Sequence, residues 1–133
     1  MTMIVTINAD GPRDPLYVLE LAEGLAEIVR ALNHLTRDPV ALAHPSEVDT
    51  LVRYLAEAAG RVPQLLEQVQ RRLTGMQTAG EVRAVAGEYE GRPVVAVAAA
   101  GVRLGAAITA AGELREALDD VAALTRDLGG DEA

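Results

Sequence analysis

Residues 53–73 read RYLAEAAGRVPQLLEQVQRRL. Two apolar-periodic runs meet at Gly60-Arg61-Val62-Pro63, and the reading of that junction decides the fold. Glycine and proline both interrupt helices, so the junction predicts two helices joined by a turn. A DNA-reading helix-turn-helix and the corner of a helical bundle both contain such a turn. Ala56, the turn residue Gly60, and the apolar anchors Leu66 and Val69 have the spacing that DNA readers use. Arg61, however, stands where an apolar turn residue is normally buried. Arg71 and Arg72 come late, whereas base contacts come from the front of a recognition helix. That front offers Gln64, Glu67 and Gln68, two amides and a carboxylate that repels phosphate. The bundle corner is the reading taken forward. The alternative is a DNA-binding transcriptional regulator contacting nucleic acid through Arg61, Gln64, Gln68, Arg71 and Arg72.

Working outward, the same helical logic recurs on both sides. Asp14-Pro15 supplies an N-cap followed by proline at the first helical position, and a first helix is expected over 15–37. Its seam is Val18, Leu21, Leu25, Ile28, Leu32 and Leu35, at alternating spacings of three and four, the pattern of helices packed at coiled-coil-like angles. Glu20, Glu23 and Glu27 take the outer face, with Arg30 an i,i+3 partner for Glu27. Further helices are expected over 46–59 and 62–79. The stretch 81–97 reads as a loop with extended character, although its valines also permit a β-hairpin. Pro93 opens a last helix over 93–127, ending at Gly129-Gly130. Its seam runs Val94, Val97, Gly101, Leu104, Ile108 and Ala111, then slips to Leu114, Leu118, Val121 and Leu128 near Gly112. The expected architecture is one all-α domain, 1–133, a bundle of about four helices. A short N-terminal arm and turn precede it over 1–13, where Met3, Val5 and Ile7 alternate with polar residues.

Composition fits that architecture. Half of the 133 residues are apolar, yet there is no Phe or Trp and only three Tyr, so the helices must pack through Leu, Val and Ala. With no cysteine, no disulfide is available, which agrees with a cytoplasmic setting. The opening MTMIVTIN has no basic segment or long apolar core of a signal peptide. The net charge of −8 works against long-range attraction to nucleic acid or anionic lipid, so either would need a local patch. All twelve basic residues are arginine, a composition that a GC-rich genome produces.

The stretch PVVAVAAAGVRLGAAITAA (93–111) is long enough to span a bilayer and contains Gly101-x-x-x-Gly105. Arg103 in its middle would cost about 2.5–3.5 kcal/mol to insert, and Ala and Gly offset little of that. A soluble helix with a small-residue face explains the same letters, and no membrane is expected. Catalytic chemistry finds no constellation. Only His34 and His44 are present, neither follows a glutamate by three residues, and no glycine-rich loop follows a strand. Glu88 and Glu90 flank Tyr89 without a defined partner. The expectation is a non-enzyme with no catalytic residue, no cofactor and no metal.

DPLYVLELAEGLAEIVRALNHLT, followed by HPSEVDTLVRYLAEAAGRVPQLLEQVQRRL, resembles a group of small helical proteins of Streptomyces-type actinobacteria. The likeness is carried by Arg30-Ala31-Leu32-Asn33-His34, by Pro45-Ser46-Glu47-Val48 and by Val62-Pro63-Gln64-Leu65-Leu66. Gly91-Arg92-Pro93 before an Ala-rich last helix matches too, over about residues 14–128. The resemblance implies a helical fold, a bacterial cytoplasm and an accessory role, and it carries over no active-site residue. Together these readings point to a non-enzymatic protein-interaction module that self-associates, as a homodimer, through Val18, Leu21, Leu25 and Ile28 or through Gly101 and Gly105. A protein-neutralising role, as in an antitoxin or inhibitor, fits the same acidic balance.

Overall fold

The fold is all-α. A computed structural model of the chain describes residues 2–130 and contains three helices: α1 (Pro15–Leu35), α2 (Pro45–Thr78) and α3 (Pro93–Thr125). The chain divides into two compact units, Met1–His44 and Pro45–Ala133.

In the first unit α1 starts where Asp14 Oδ1 accepts a bond from the Leu16 amide at 2.8 Å, with Pro15 contributing its fixed φ to the first turn. It stops at Leu35, two residues before the expected end: Thr36 still makes the helical bond to the Leu32 carbonyl, but the Asp38 amide bonds three residues back to Leu35, and Pro39 has no amide to carry the ladder further. Asp38 then shapes the following turn, accepting from the Val40 amide at 2.8 Å. The arm over 2–8 has no regular secondary structure but lies along α1. Tyr17 holds it: its hydroxyl donates to the Thr6 carbonyl at 2.5 Å and accepts from the Asn8 amide at 2.7 Å. Gly24, the one buried residue of α1, lets Val5 come close. A Cβ there would stand 3.1 Å from Val5 Cγ2.

The second unit is an antiparallel helical hairpin, and it corrects the count of about four helices to three. The helices expected over 46–59 and 62–79 are one helix of 34 residues, about 50 Å long. It passes through both Gly60 and Pro63. The reason lies in the packing against α3. Val48, Val52, Ala56, Ala59, Pro63, Leu66, Gln70 and Leu73 keep spacings of three and four across the junction, and all are buried or half-buried. A turn at Gly60 would throw one half of that line out of phase with α3. Packing along the whole face outweighs the one backbone hydrogen bond that Pro63 removes.

A Schellman closure ends α2. The Glu81 amide bonds to the Met76 carbonyl and the Gly80 amide to the Gln77 carbonyl, with Gly80 at φ +75°. Residues 79–92 form a loop rather than a β-hairpin, pinned by the Gly91 amide on the Ala84 carbonyl at 2.8 Å. Pro93 opens α3, as expected, and α3 ends at Thr125.

The expected slip of register in α3 does not occur. Val97, Gly101, Leu104, Ile108 and Ala111 lie on the less exposed side, and the line continues in phase through Leu118, Ala122 and Thr125. Arg115 takes the position between Ala111 and Leu118. A Cβ at Gly60 would overlap the end of its guanidinium, which is half-exposed and would have to swing aside. Leu114, Val121 and Leu128, placed in the seam by the sequence reading, are instead 53%, 40% and 57% exposed.

At its open end the hairpin is clasped by a polar pair. Asp49 near the start of α2 and Thr125 at the end of α3 are each only 8% exposed, and the Thr125 hydroxyl donates to Asp49 Oδ1 at 2.7 Å. Arg53 reaches Asp49 Oδ2 at 3.1 Å from the solvent side, so both carboxylate oxygens are engaged.

Candidate functional site

The described residues bury very little. Only Gly24, Asp49, Ala56, Ala59 and Thr125 are buried, and no large side chain is fully enclosed. The accessible surface is 10309 Å². Two separate compact bodies with the lengths of the two units would expose about 8,000 Å² in total, which leaves an excess of about 2,300 Å². Much of what is exposed is apolar, so the candidate sites are surfaces rather than clefts.

The first surface belongs to α1 and the arm. Val18, Leu25 and Ile28 are 59%, 53% and 52% exposed, whereas Leu21 is half-buried against the arm. Between them runs an open groove of about 470 Å³, with Met3, Val5 and Ile7 on one wall and Leu21, Leu25 and Ile28 on the other. Glu27 and Arg30 stand at its edge as an ion pair at 3.0 Å. The α1 half of the self-association residues therefore presents three open side chains and one, Leu21, half-buried in the wall of the groove.

The second surface is the side of α3 turned away from α2. Val102 and Leu124 are 74% and 72% exposed, and Val94 and Val95 are 65% and 43% exposed. By length and composition α3 suffices to cross a membrane. Its most apolar 18-residue window has mean hydropathy 1.9 and no buried residue. The two glycines named from the sequence have different surroundings. Gly101 faces Gln70 of α2, whose Nε2 would lie 3.2 Å from an added Cβ, while a Cβ added at Gly105 would point into open space.

The third surface is the polar side of α2. Arg61, Gln64, Gln68, Arg71 and Arg72 are all exposed and share one side of a continuous helix. Arg61 is paired with Glu57 within the helix at 2.6 Å. The inter-helical turn that would aim these residues as a recognition helix is missing, because α2 does not break at Gly60.

In the Glu88-Tyr89-Glu90 trio, the loop engages the main chain of Glu88 and the ring of Tyr89. Arg92 donates to the Glu88 carbonyl at 2.9 Å and its guanidinium stacks 5.6 Å from the centre of the Tyr89 ring. His34 is exposed and contacts Arg37 through Nδ1 at 3.3 Å. Among the described residues no group of three His, Asp or Glu side chains is arranged to hold a metal. The Asp49–Thr125 clasp was not legible in the sequence, since its members are 76 residues apart. No family model, curated protein or solved structure matches the chain.

Proposed function

We propose that the protein is a non-enzymatic interaction module that works by self-association, with the homodimer as its basic form. The observation that carries this reading is the accessible surface, about 2,300 Å² beyond that of compact bodies of the same lengths and rich in open Val, Leu and Ile. Apolar area of that kind is unfavourable in water at about 25 cal/mol per Å², so covering it with a second copy is strongly driven. Obligate homodimers bury about 2,000–5,000 Å² in total, and twice the excess per chain falls in that range. Both the α1 side and the α3 side supply candidate faces. Arg103 argues for a protein cover on α3 rather than lipid, because a charge near the middle of the apolar stretch is costly in hydrocarbon. A cytoplasmic bacterial setting and an accessory role go with this proposal.

Sedimentation equilibrium of the full chain over a hundredfold concentration range tests it. The expected result is a mass twice the 14.0 kDa of one chain. A single monomeric mass throughout the range refutes the proposal.

A further inference from the structure

We infer that the face of α3 turned away from α2 is the seat of a second copy's α3, running antiparallel and centred on the level of Ile108. This inference rests on the self-association reading and specifies its geometry. On a helix, Val95, Ala99, Val102, Ala106 and Ala110 follow one another at spacings of three and four, and beyond Glu113 the line continues with Ala117, Val121 and Leu124. It repeats over eleven residues, the period that keeps a stripe nearly straight along an α-helix. All but the half-buried Ala99 are exposed, and the large members carry the apolar area that a partner would cover.

Charge selects the orientation. Within the span from Val95 to Val121 this side of α3 carries three exposed charged positions, Arg103 beside Val102, Glu113 in the stripe and Asp120 beside Val121, and in an antiparallel pairing about Ile108 Asp120 stands level with Ala96 of the other copy. Arg103 and Glu113 stand five residues to either side of Ile108. Antiparallel pairing about that level puts Arg103 of each copy beside Glu113 of the other. The same register puts Val95 opposite Val121, Ala99 opposite Ala117 and Ala106 opposite Ala110, and it sets Val102 level with the exposed Leu114. Parallel pairing in register would instead set Arg103 against Arg103 and Glu113 against Glu113, and like charges juxtaposed in an interface are unfavourable. A four-helix arrangement then arises from two hairpins, supplying between two chains the bundle that one chain lacks.

Because the chain has no cysteine, single-cysteine variants of the full-length protein read the orientation directly. In the proposed pairing Ala99→Cys and Ala117→Cys each place the two copies' thiols about 27 Å apart along the axis, too far for a disulfide. Mixed together, the two variants bring Cys within bonding distance of Cys. The expected result under diamide is no cross-linked dimer from either variant alone and a disulfide-linked dimer from the mixture. Arg103→Glu should weaken dimerisation roughly tenfold or more by setting Glu against Glu, and the swap R103E/E113R should restore it, with helical circular dichroism unchanged in both. Cross-linking of A99C with itself overturns the antiparallel register. A dimer by sedimentation with no cross-link in the mixture overturns this face while leaving self-association intact. A monomer at all concentrations removes the self-association reading as well. Flotation of the wild-type chain with phosphatidylcholine vesicles overturns the inference in favour of a lipid-covered α3.

Discussion

Replacing Thr125 with valine tests whether the polar clasp holds the open end of the hairpin. The substitution keeps the shape of the side chain and removes one hydroxyl, the donor 2.7 Å from Asp49 Oδ1. Both residues are 8% exposed, so water does not freely replace the lost partner. A hydrogen bond to a charged group contributes about 1.5–3 kcal/mol, and a buried acceptor left without its donor forfeits most of that. Arg53 moderates the loss: it touches the other oxygen at 3.1 Å, and its side chain is 61% exposed and free to move. The expected cost is therefore near the lower end, about 2 kcal/mol. For a unit of this size that corresponds to a drop in Tm of roughly 8–16 °C. Helical circular dichroism reports it well, since α2 and α3 contribute 34 and 33 helical residues against 21 in α1. Protein concentration must be held fixed, because the proposed self-association would itself add apparent stability. Thr125→Ser separates the hydroxyl from the methyl and should cost about 1 kcal/mol or less. Stability of T125V within about 0.5 kcal/mol of wild type, or a loss in T125S as large as in T125V, would refute the assignment.

Three further substitutions address the helix junction, the arm and the polar side of α2. Gly60→Ala should leave stability unchanged or raise it by up to about 0.5–1 kcal/mol in urea unfolding, since alanine is the better residue inside a helix. The Arg115 end it displaces is half-exposed, and Arg115's pair with Asp119 is a surface one. A loss of more than 1 kcal/mol would mean that Gly60 is a turn residue after all. Tyr17→Phe removes both bonds that hold the arm, and amide exchange at Asn8 should accelerate several-fold, in line with about 0.5–1.5 kcal/mol per bond. Exchange in α2 and α3 should stay as it was, and an unchanged rate at Asn8 would show that Tyr17 does not restrain the arm. Arg→Glu at both Arg71 and Arg72 should leave sedimentation mass and helicity intact, because these side chains stand on the polar side of α2. Loss of the dimer in that variant would move the interface to α2.

The helix starts were legible because their causes are local. Asp14-Pro15 caps α1 within three residues, and Pro93 opens α3 on its own account. What failed was the inference from a local breaker to a global turn. Gly60 and Pro63 weaken a helix by amounts that one line of side chains can offset when it packs over 34 residues, and nothing inside RYLAEAAGRVPQLLEQVQRRL says whether a partner helix is there to supply that packing. The α3 register failed for the same reason in reverse. Leu114 and Val121 are apolar and Arg115 is not, so a reading of α3 alone puts the leucine inward and the arginine outward. The choice belongs to α2, whose Gly60 leaves room for a guanidinium where any other residue would place a Cβ. Arg115 lies in phase with the line that meets α2, its guanidinium over Gly60 and about half of its side chain still exposed, and Leu114 and Val121 fall to either side of that line, nearer the stripe that ends in Leu124. The exposed apolar face of α3 is thus a consequence of how the hairpin packs, and it arises at the same residues that defeat the sequence reading. Leucine and valine on the outer side of α3, with alanine, threonine and aspartate the most buried groups of the hairpin, are the basis for the proposal that a second copy completes the core, and Arg103 and Glu113 are the charges by which that proposal stands or falls.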